Sequence, residues 1–128
     1  MRKLSSRPTE AELSILAVLW ERGPCAVRDV HEVLQAEQST GYTTTLKLLQ
    51  LMHAKGLAIR DETQRAHIYA AAVARNKVET QMVGELVSKL FGGSSSRLVL
   101  QALGSGSPAS KREIAEMKAL LDELELRQ

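Results

Sequence analysis

A run of hydroxyl-bearing side chains at residues 39–45 is the first feature of this sequence that could do chemistry. Six of these seven residues carry a hydroxyl group, and a lysine follows two positions later. Hydroxyls bond to phosphates and to base edges, and threonine methyls contact the thymine methyl. If the run opens a helix, its free backbone amides also favour phosphate. The pattern predicts DNA contacts by Thr40, Tyr42, Thr43, Thr44, Thr45 and Lys47.

Ordinary helix capping is the alternative explanation for these hydroxyls. Ser39 or Thr40 could cap a helix that starts here, because Ser and Thr are preferred N-cap residues. The three consecutive threonines at 43–45 are β-branched and only moderate helix formers. We therefore favour contact with DNA over helix propensity as the reason for their presence.

The charge around this run favours an anionic partner. Residues 38–60 contain no Asp or Glu but include Lys47, Lys55 and Arg60. The chain as a whole has a formal net charge of only +2, so its distribution matters more than its total. We expect Lys47 and Lys55 to add electrostatic affinity for DNA.

Two further arginines flank the tip of a predicted hairpin. Residues 57–59 and 67–70 are typical of short strands, and they enclose a polar, charged segment. Arg60 and Arg65 at this tip could neutralise a phosphate or enter a minor groove. Alternatively, they simply pair with Asp61 and Glu62 on a solvated hairpin.

The sequence offers no recognisable catalytic or metal-binding group. His31, His53 and His67 lie on three different predicted elements without metal-ligand spacing, and His31 with Glu32 is interpreted as a solvent-facing pair. Cys25, the only cysteine, is expected to be buried in a loop; an intramolecular disulfide is excluded, and a reducing cytoplasm is favoured. No apolar run reaches transmembrane length. We expect a cytoplasmic protein that is not an enzyme, needs no metal or cofactor and does not insert into a membrane.

Three helices and a hairpin are predicted to position these residues. Thr9 and Glu12 have capping-box spacing, and the helix they open stops at the Gly-Pro pair of residues 23–24. Apolar residues at helical spacing predict a second helix after Val27 and a third that ends at Lys55. Three helices followed by a hairpin form a winged helix, whose second helix-turn-helix member reads the major groove. The predicted fold is mainly α with a small β-hairpin wing, and the DNA-binding domain spans residues 8–74.

Residues 75–128 are predicted to form a helical dimerisation domain. Three apolar stripes at helical spacing follow one another, with a Gly/Ser/Pro linker at residues 104–108. Helices with exposed apolar faces pack most economically against the same helices of a second chain. The predicted dimer interface consists of Val83, Leu86, Leu90, Phe91, Leu98, Leu103, Ile114, Met117, Leu121 and Leu124.

Taken together, these segments resemble the penicillinase and methicillin-resistance repressor family, which includes copper-responsive operon repressors. The resemblance spans about residues 8–126. The segments that carry it are PTEAEL at 8–13, VLW at 18–20, YTTTLKLL at 42–49, KGL at 55–57, RAHIY at 65–69, LFGG at 90–93 and LVL at 98–100.

The resemblance implies a homodimeric repressor with an N-terminal winged helix on a palindromic operator. Of the residues above, Thr43 carries over first as a DNA contact, followed by Tyr42, Thr45 and Lys47. In the β-lactam branch, a membrane zinc metallopeptidase senses the drug, and repressor cleavage in the dimerisation domain releases the DNA. Cleavage separates the two DNA-binding domains of the dimer, and each domain then binds its half-site without the avidity of the pair.

Two departures from the family limit what the resemblance implies. The cleaved bond of the family joins Asn to Phe after a Leu-Val-Leu run, whereas here the run is followed by Gln101 and Ala102. This pair marks the candidate cleavage position, without the residues that define it in the β-lactam branch. The copper branch uses paired C-terminal cysteines, and no cysteine follows Cys25. The alternative function is a winged-helix module that binds a protein partner without specific DNA binding.

Overall fold

The computed structural model describes residues 7–37 and 39–128. Their elements, in chain order, are α1 Glu10–Arg22, β1 Cys25–Ala26, α2 Val27–Glu37, α3 Tyr42–Lys55, β2 Ala58–Asp61, β3 Ile68–Ala71, α4 Arg75–Lys89, α5 Ser95–Ser105 and α6 Lys111–Leu126. These residues fold into two compact units, and the boundary between the units lies between Thr80 and Gln81.

The predicted capping box at the start of α1 is present. The Thr9 backbone N–H donates to the Glu12 carboxylate at 2.9 Å, and the Glu12 N–H donates to the Thr9 hydroxyl at 3.2 Å. At the other end, the amide of Gly23 donates to Leu19 O at 2.9 Å and stops the helix. Local sequence signals therefore set both ends of α1.

The wing belongs to a three-stranded antiparallel sheet with the order β1-β3-β2. Tyr69 on the central strand lies opposite Cys25 on one side and Arg60 on the other. The sequence predicted β2 and β3 as a hairpin but missed β1, and Cys25 was expected in a loop. A strand of two residues is too short for an alternation signal, and pairing with β3 alone defines it.

The core of the first unit is aliphatic and lies between the three helices and the sheet. Ile15, Leu16, Val30, Leu49 and Met52 have no accessible surface. Tyr69, at 1% exposure, closes the core from the sheet side. Burial of this apolar surface fixes α3 on α1 and α2, so that the opposite face of α3 remains in solvent.

Trp20 attaches the segment that leads into α4 to the end of α1. Its indole Nε1–H donates to Val73 O at 2.9 Å, and the Arg75 guanidinium lies 5.8 Å from the indole ring centroid. Val78, on the first turn of α4, is buried. The start of α4 therefore belongs to the first unit.

The second unit contains the end of α4 together with α5 and α6. Gly92 and Gly93 have φ of 58° and 86°, and the Gly93 amide donates to Val87 O at 2.9 Å, which ends the turn after α4. Ser110 and Glu113 form a second capping box at the start of α6. Neither α5 nor α6 buries a residue. Within the described residues, no helix has the length and hydropathy needed to span a membrane.

Candidate nucleic-acid interface

The exposed face of α3 carries most of the residues that the sequence singled out. Tyr42, Thr43, Thr44 and Lys47 are all exposed, and Gln50 continues the same face one turn later. A helix of fourteen residues holds these side chains at fixed spacing. This face contains no acid, so a polyanion can approach it without repulsion.

The N-terminus of α3 is open. Its N-cap is Gly41, with φ −74°, and no side chain makes a capping hydrogen bond there. Ser39 and Thr40 therefore do not cap the helix, which removes the alternative explanation for these hydroxyls. Thr40 is half-buried in the segment before the helix. Uncapped first-turn amides are a favourable environment for phosphate.

Thr45 does not belong to this face. Its side chain has no accessible surface, and its hydroxyl donates to Gly41 O at 3.4 Å. The prediction of a DNA contact by Thr45 is therefore corrected. The helical period places Thr45 on the same face as Leu49 and Met52, which are buried four and seven positions later.

Lys55 is also placed differently from its sequence prediction. Its ammonium group donates to both carboxylate oxygens of Glu12, at 2.8 and 2.9 Å. The Glu12 side chain is only 3% exposed. Burial alone raises the pKa of Glu12, but hydrogen bonds from Lys55 and Thr9 outweigh it and lower that pKa below its usual value. Lys55 joins the end of α3 to the start of α1 instead of facing DNA.

The two wing arginines have different surroundings. Arg60 donates to Glu62 at 2.8 Å, and hydrogen bonds to the side chains of Tyr69 and Glu62 raise the pKa of its guanidinium. Asp61 accepts from Thr63 instead, at 2.9 Å from its amide and 2.7 Å from its hydroxyl. Arg65 is exposed and has no ion-pair partner within the described residues. Pairing with the wing acids therefore accounts for Arg60 but not for Arg65.

His31 supports the first residue of α3. Its ring meets the Tyr42 ring edge-on, with centroids 5.6 Å apart and an interplanar angle of 77°. The sequence predicted His31 to face solvent with Glu32, but it is half-buried and its Nδ1 is buried without a hydrogen-bond partner. Contact with the aromatic ring of the following helix, which local periodicity does not reveal, explains the difference.

No catalytic arrangement emerges from the described residues. They contain no cluster of three or more His, Cys, Asp or Glu side chains that could hold a metal ion. Cys25 is buried, and burial followed by the charge of Asp29 raises the pKa of its thiol. A thiol with a raised pKa is a poor nucleophile at neutral pH.

Comparison with known protein families identifies the family of this chain. The family model described as penicillinase repressor matches residues 8–123. The chain belongs to the penicillinase repressor family. It is similar to the transcriptional regulator BlaI of Mycobacterium tuberculosis, with 30% identity over 125 residues that cover 93% of this chain and 90% of the relative. It is also similar to the penicillinase repressor of Staphylococcus aureus, with 18% identity over 114 residues, or 89% and 90% of the two chains.

A solved structure supports the fold of this penicillinase repressor family member. The DNA-binding domain of the repressor BlaI, determined in solution, superposes with a TM-score of 0.50 at 21% identity. The match covers 59% of this chain and 90% of that domain. The winged helix predicted from the sequence is thereby confirmed.

The second unit of this family member presents the residues predicted for the dimer interface. Seven of the ten are exposed, and three are half-buried, namely Phe91, Leu98 and Met117. The exposed seven are Val83, Leu86, Leu90, Leu103, Ile114, Leu121 and Leu124. Gln101 and Ala102, the candidate cleavage position, are exposed within α5.

Proposed function

We propose that this protein is a transcriptional repressor that binds a palindromic operator as a homodimer, with α3 in the major groove. The observation that carries the proposal is the exposed, acid-free face of α3, where Thr43 and Lys47 lie one turn apart beside an uncapped helix N-terminus. Membership of the penicillinase repressor family supports it. In this proposal Tyr42, Thr43 and Thr44 contact bases or phosphates, Thr40 lies beside the backbone, and Lys47 and Arg65 supply positive charge, whereas Arg60 is held by Glu62.

The test is binding of the full chain to DNA from its own upstream region. Affinity is measured across a salt series against unrelated DNA of equal length, which separates sequence selectivity from nonspecific attraction. The variant Thr43→Ala/Lys47→Ala is expected to weaken operator binding by at least about 3 kcal/mol through lost base and phosphate contacts. The matched control, Thr80→Ala/Lys89→Ala, removes the same side chains from exposed positions on α4.

The result separates DNA binding from the alternative of a protein-binding winged helix. Selective binding that is lost in the α3 variant and kept in the control supports the repressor. Equal binding of both DNA sequences, vanishing as salt rises, contradicts it and favours a protein partner for α3.

Homodimerisation is the second part of the proposal, and the exposed leucines of α4, α5 and α6 support it. Monomeric proteins rarely leave so many large apolar side chains in solvent, and a self-complementary apolar surface is the usual basis of a twofold dimer. Sedimentation at increasing protein concentration tests this part, and a monomer at micromolar concentration would contradict it.

We further propose that cleavage in the second unit ends repression, by a membrane zinc metallopeptidase sensor or a downstream protease in the cytoplasm. Gln101 and Ala102 lie inside α5, so a protease must first unwind about two turns of this helix to bind it as an extended strand. No residue of α5 is buried, so unwinding this helix in the monomer costs little free energy. Limited proteolysis followed by mass determination tests the position, and cuts confined to other segments would exclude it.

A further inference from the structure

A groove of about 490 Å³ lies between the start of α2, the exposed face of α3 and the wing. Arg28 reaches it from α2, and Arg60 and Arg65 reach it from the hairpin. Tyr42 and Gln50 line it from α3. Three separate elements therefore bring their basic and polar side chains to one concave surface of the first unit.

Two of the three guanidinium groups that line this groove are not in ion pairs with any described residue, so the groove keeps a net positive charge beside Asp29. Arg28 and Arg65 have no ion-pair or side-chain hydrogen-bond partner within residues 7–37 and 39–128. The one carboxylate among the lining residues, Asp29, accepts the Ala26 N–H at 3.1 Å. By contrast, Arg75 and Arg112, outside the groove, each lie 3.4 Å from a glutamate one helical turn away.

We propose that this groove binds a phosphodiester group of the DNA backbone, with Arg28 and Arg65 as its cationic ligands. The proposal rests on the DNA-binding function argued above and adds Arg28, which lies on the helix before the reading helix. Guanidinium groups match phosphate oxygens with two parallel N–H donors, and their planar fork loses less side-chain entropy for each hydrogen bond formed than a lysine does. The Tyr42 ring, fixed edge-on against His31, forms a defined wall on the α3 side.

A phosphate contact has a signature that a base contact or a structural role lacks. It releases one counterion per contact, so the slope of log affinity against log salt falls by about 0.9 for each contact removed. At 0.15 M salt the same contact contributes roughly 5-fold to the affinity for each subunit bound. The loss is equal on operator and unrelated DNA, because phosphates carry no sequence information.

The experiment compares Arg28→Ala, Arg28→Lys and Arg22→Ala with the wild-type full chain in the salt series. Arg22 is exposed at the end of α1 and does not line the groove, so its variant controls for removal of an arginine. We expect Arg28→Ala to lose roughly 5-fold in affinity per subunit on both DNA sequences, with the reduced slope. Arg28→Lys keeps the slope because it keeps the charge, and Arg22→Ala matches the wild type.

Failure of this inference is distinguishable from failure of the proposed function. If the wild type selects its operator and depends on Thr43, but Arg28→Ala keeps the wild-type slope, the phosphate site is refuted while the repressor stands. A loss confined to the operator also refutes it, because that pattern indicates a base contact. If the wild type shows no selectivity, the proposed function itself fails.

Discussion

Replacement of Lys55 by Met tests whether this lysine stabilises the fold or binds DNA. Lys55 pairs with Glu12, whose side chain is 3% exposed, while the lysine side chain keeps 29% of its surface. Removal of one partner of a buried pair costs about 3–5 kcal/mol, because the remaining charge is left in a poorly solvated site. Since this pair lies at the edge of the core, we expect the lower value, about 3 kcal/mol of unfolding free energy at pH 7.

The pH dependence of this loss follows from the lowered pKa of Glu12. In the wild type, the ionised Glu12 stabilises the fold above its unfolded-state pKa, and this stability is lost as pH falls through the lower, folded-state pKa. Without Lys55, burial is the largest remaining influence and favours the protonated acid. The variant should therefore approach the wild type in stability as pH falls below about 4.

Urea unfolding monitored by the fluorescence of Trp20, the only tryptophan, measures this difference. The control is Lys47→Met, an exposed lysine on the same helix, which should change stability by less than about 0.5 kcal/mol. The two variants should have the opposite ranking in DNA binding. Lys47→Met should lower the slope of log affinity against log salt, and Lys55→Met should leave this slope unchanged. Wild-type stability of Lys55→Met together with a lowered slope would refute the ion-pair argument and restore the original sequence prediction.

Three further substitutions test other parts of the structure. Trp20→Phe removes the bond to Val73 O and should cost about 1 kcal/mol in thermal or urea unfolding; an unchanged midpoint would contradict the attachment of the α4 segment. Gly56→Ala forces a side chain into the left-handed conformation at φ 83° that ends α3. It should lower the free energy of unfolding by about 1 kcal/mol in the same assay. Unchanged stability would mean that the turn adapts to the side chain. Leu121→Glu places a charge in the proposed apolar seam and should yield monomers in sedimentation, so a dimer of wild-type strength would exclude this residue from the interface.

Sequence reasoning succeeded where the determining interaction is local. The capping box of Thr9 and Glu12 spans three residues, and the Gly56 stop follows directly on α3, so each can be identified from a short window. The apolar stripes of α1 to α3 and their order were sufficient to predict the winged helix.

Apart from Thr45, whose burial follows from the helical period of α3, the predictions that failed depend on contacts between distant segments. Lys55 meets Glu12 across 43 positions, and no local pattern distinguishes a lysine that pairs in the core from one that faces DNA. His31 meets Tyr42 only because α2 packs on α3. The strand at Cys25 exists through its pairing with Tyr69. The missing information is the packing of the elements, which periodicity within one element does not contain.

In the proposed dimer, the small number of unpaired cations that the described residues place on each interface makes the second unit important for DNA binding. With Arg60 held by Glu62 and Lys55 by Glu12, the proposed interface keeps Arg28, Lys47 and Arg65. Three phosphate contacts give a salt slope of about 2.7, so a monomer loses roughly 40-fold in affinity between 50 and 200 mM salt. A dimer doubles the slope to about 5.4 and loses roughly 2,000-fold over the same range.

The difference between these two slopes tests whether the proposed dimer interface contributes to DNA binding. The Leu121→Glu monomer should keep the fold and the contacts of each head, so its slope should fall to half of the wild-type value. Its operator affinity should fall much further, because the second head no longer binds at high effective concentration. A monomer with the full wild-type slope would show that one head makes twice the proposed phosphate contacts, and the count of three contacts per head would then be wrong.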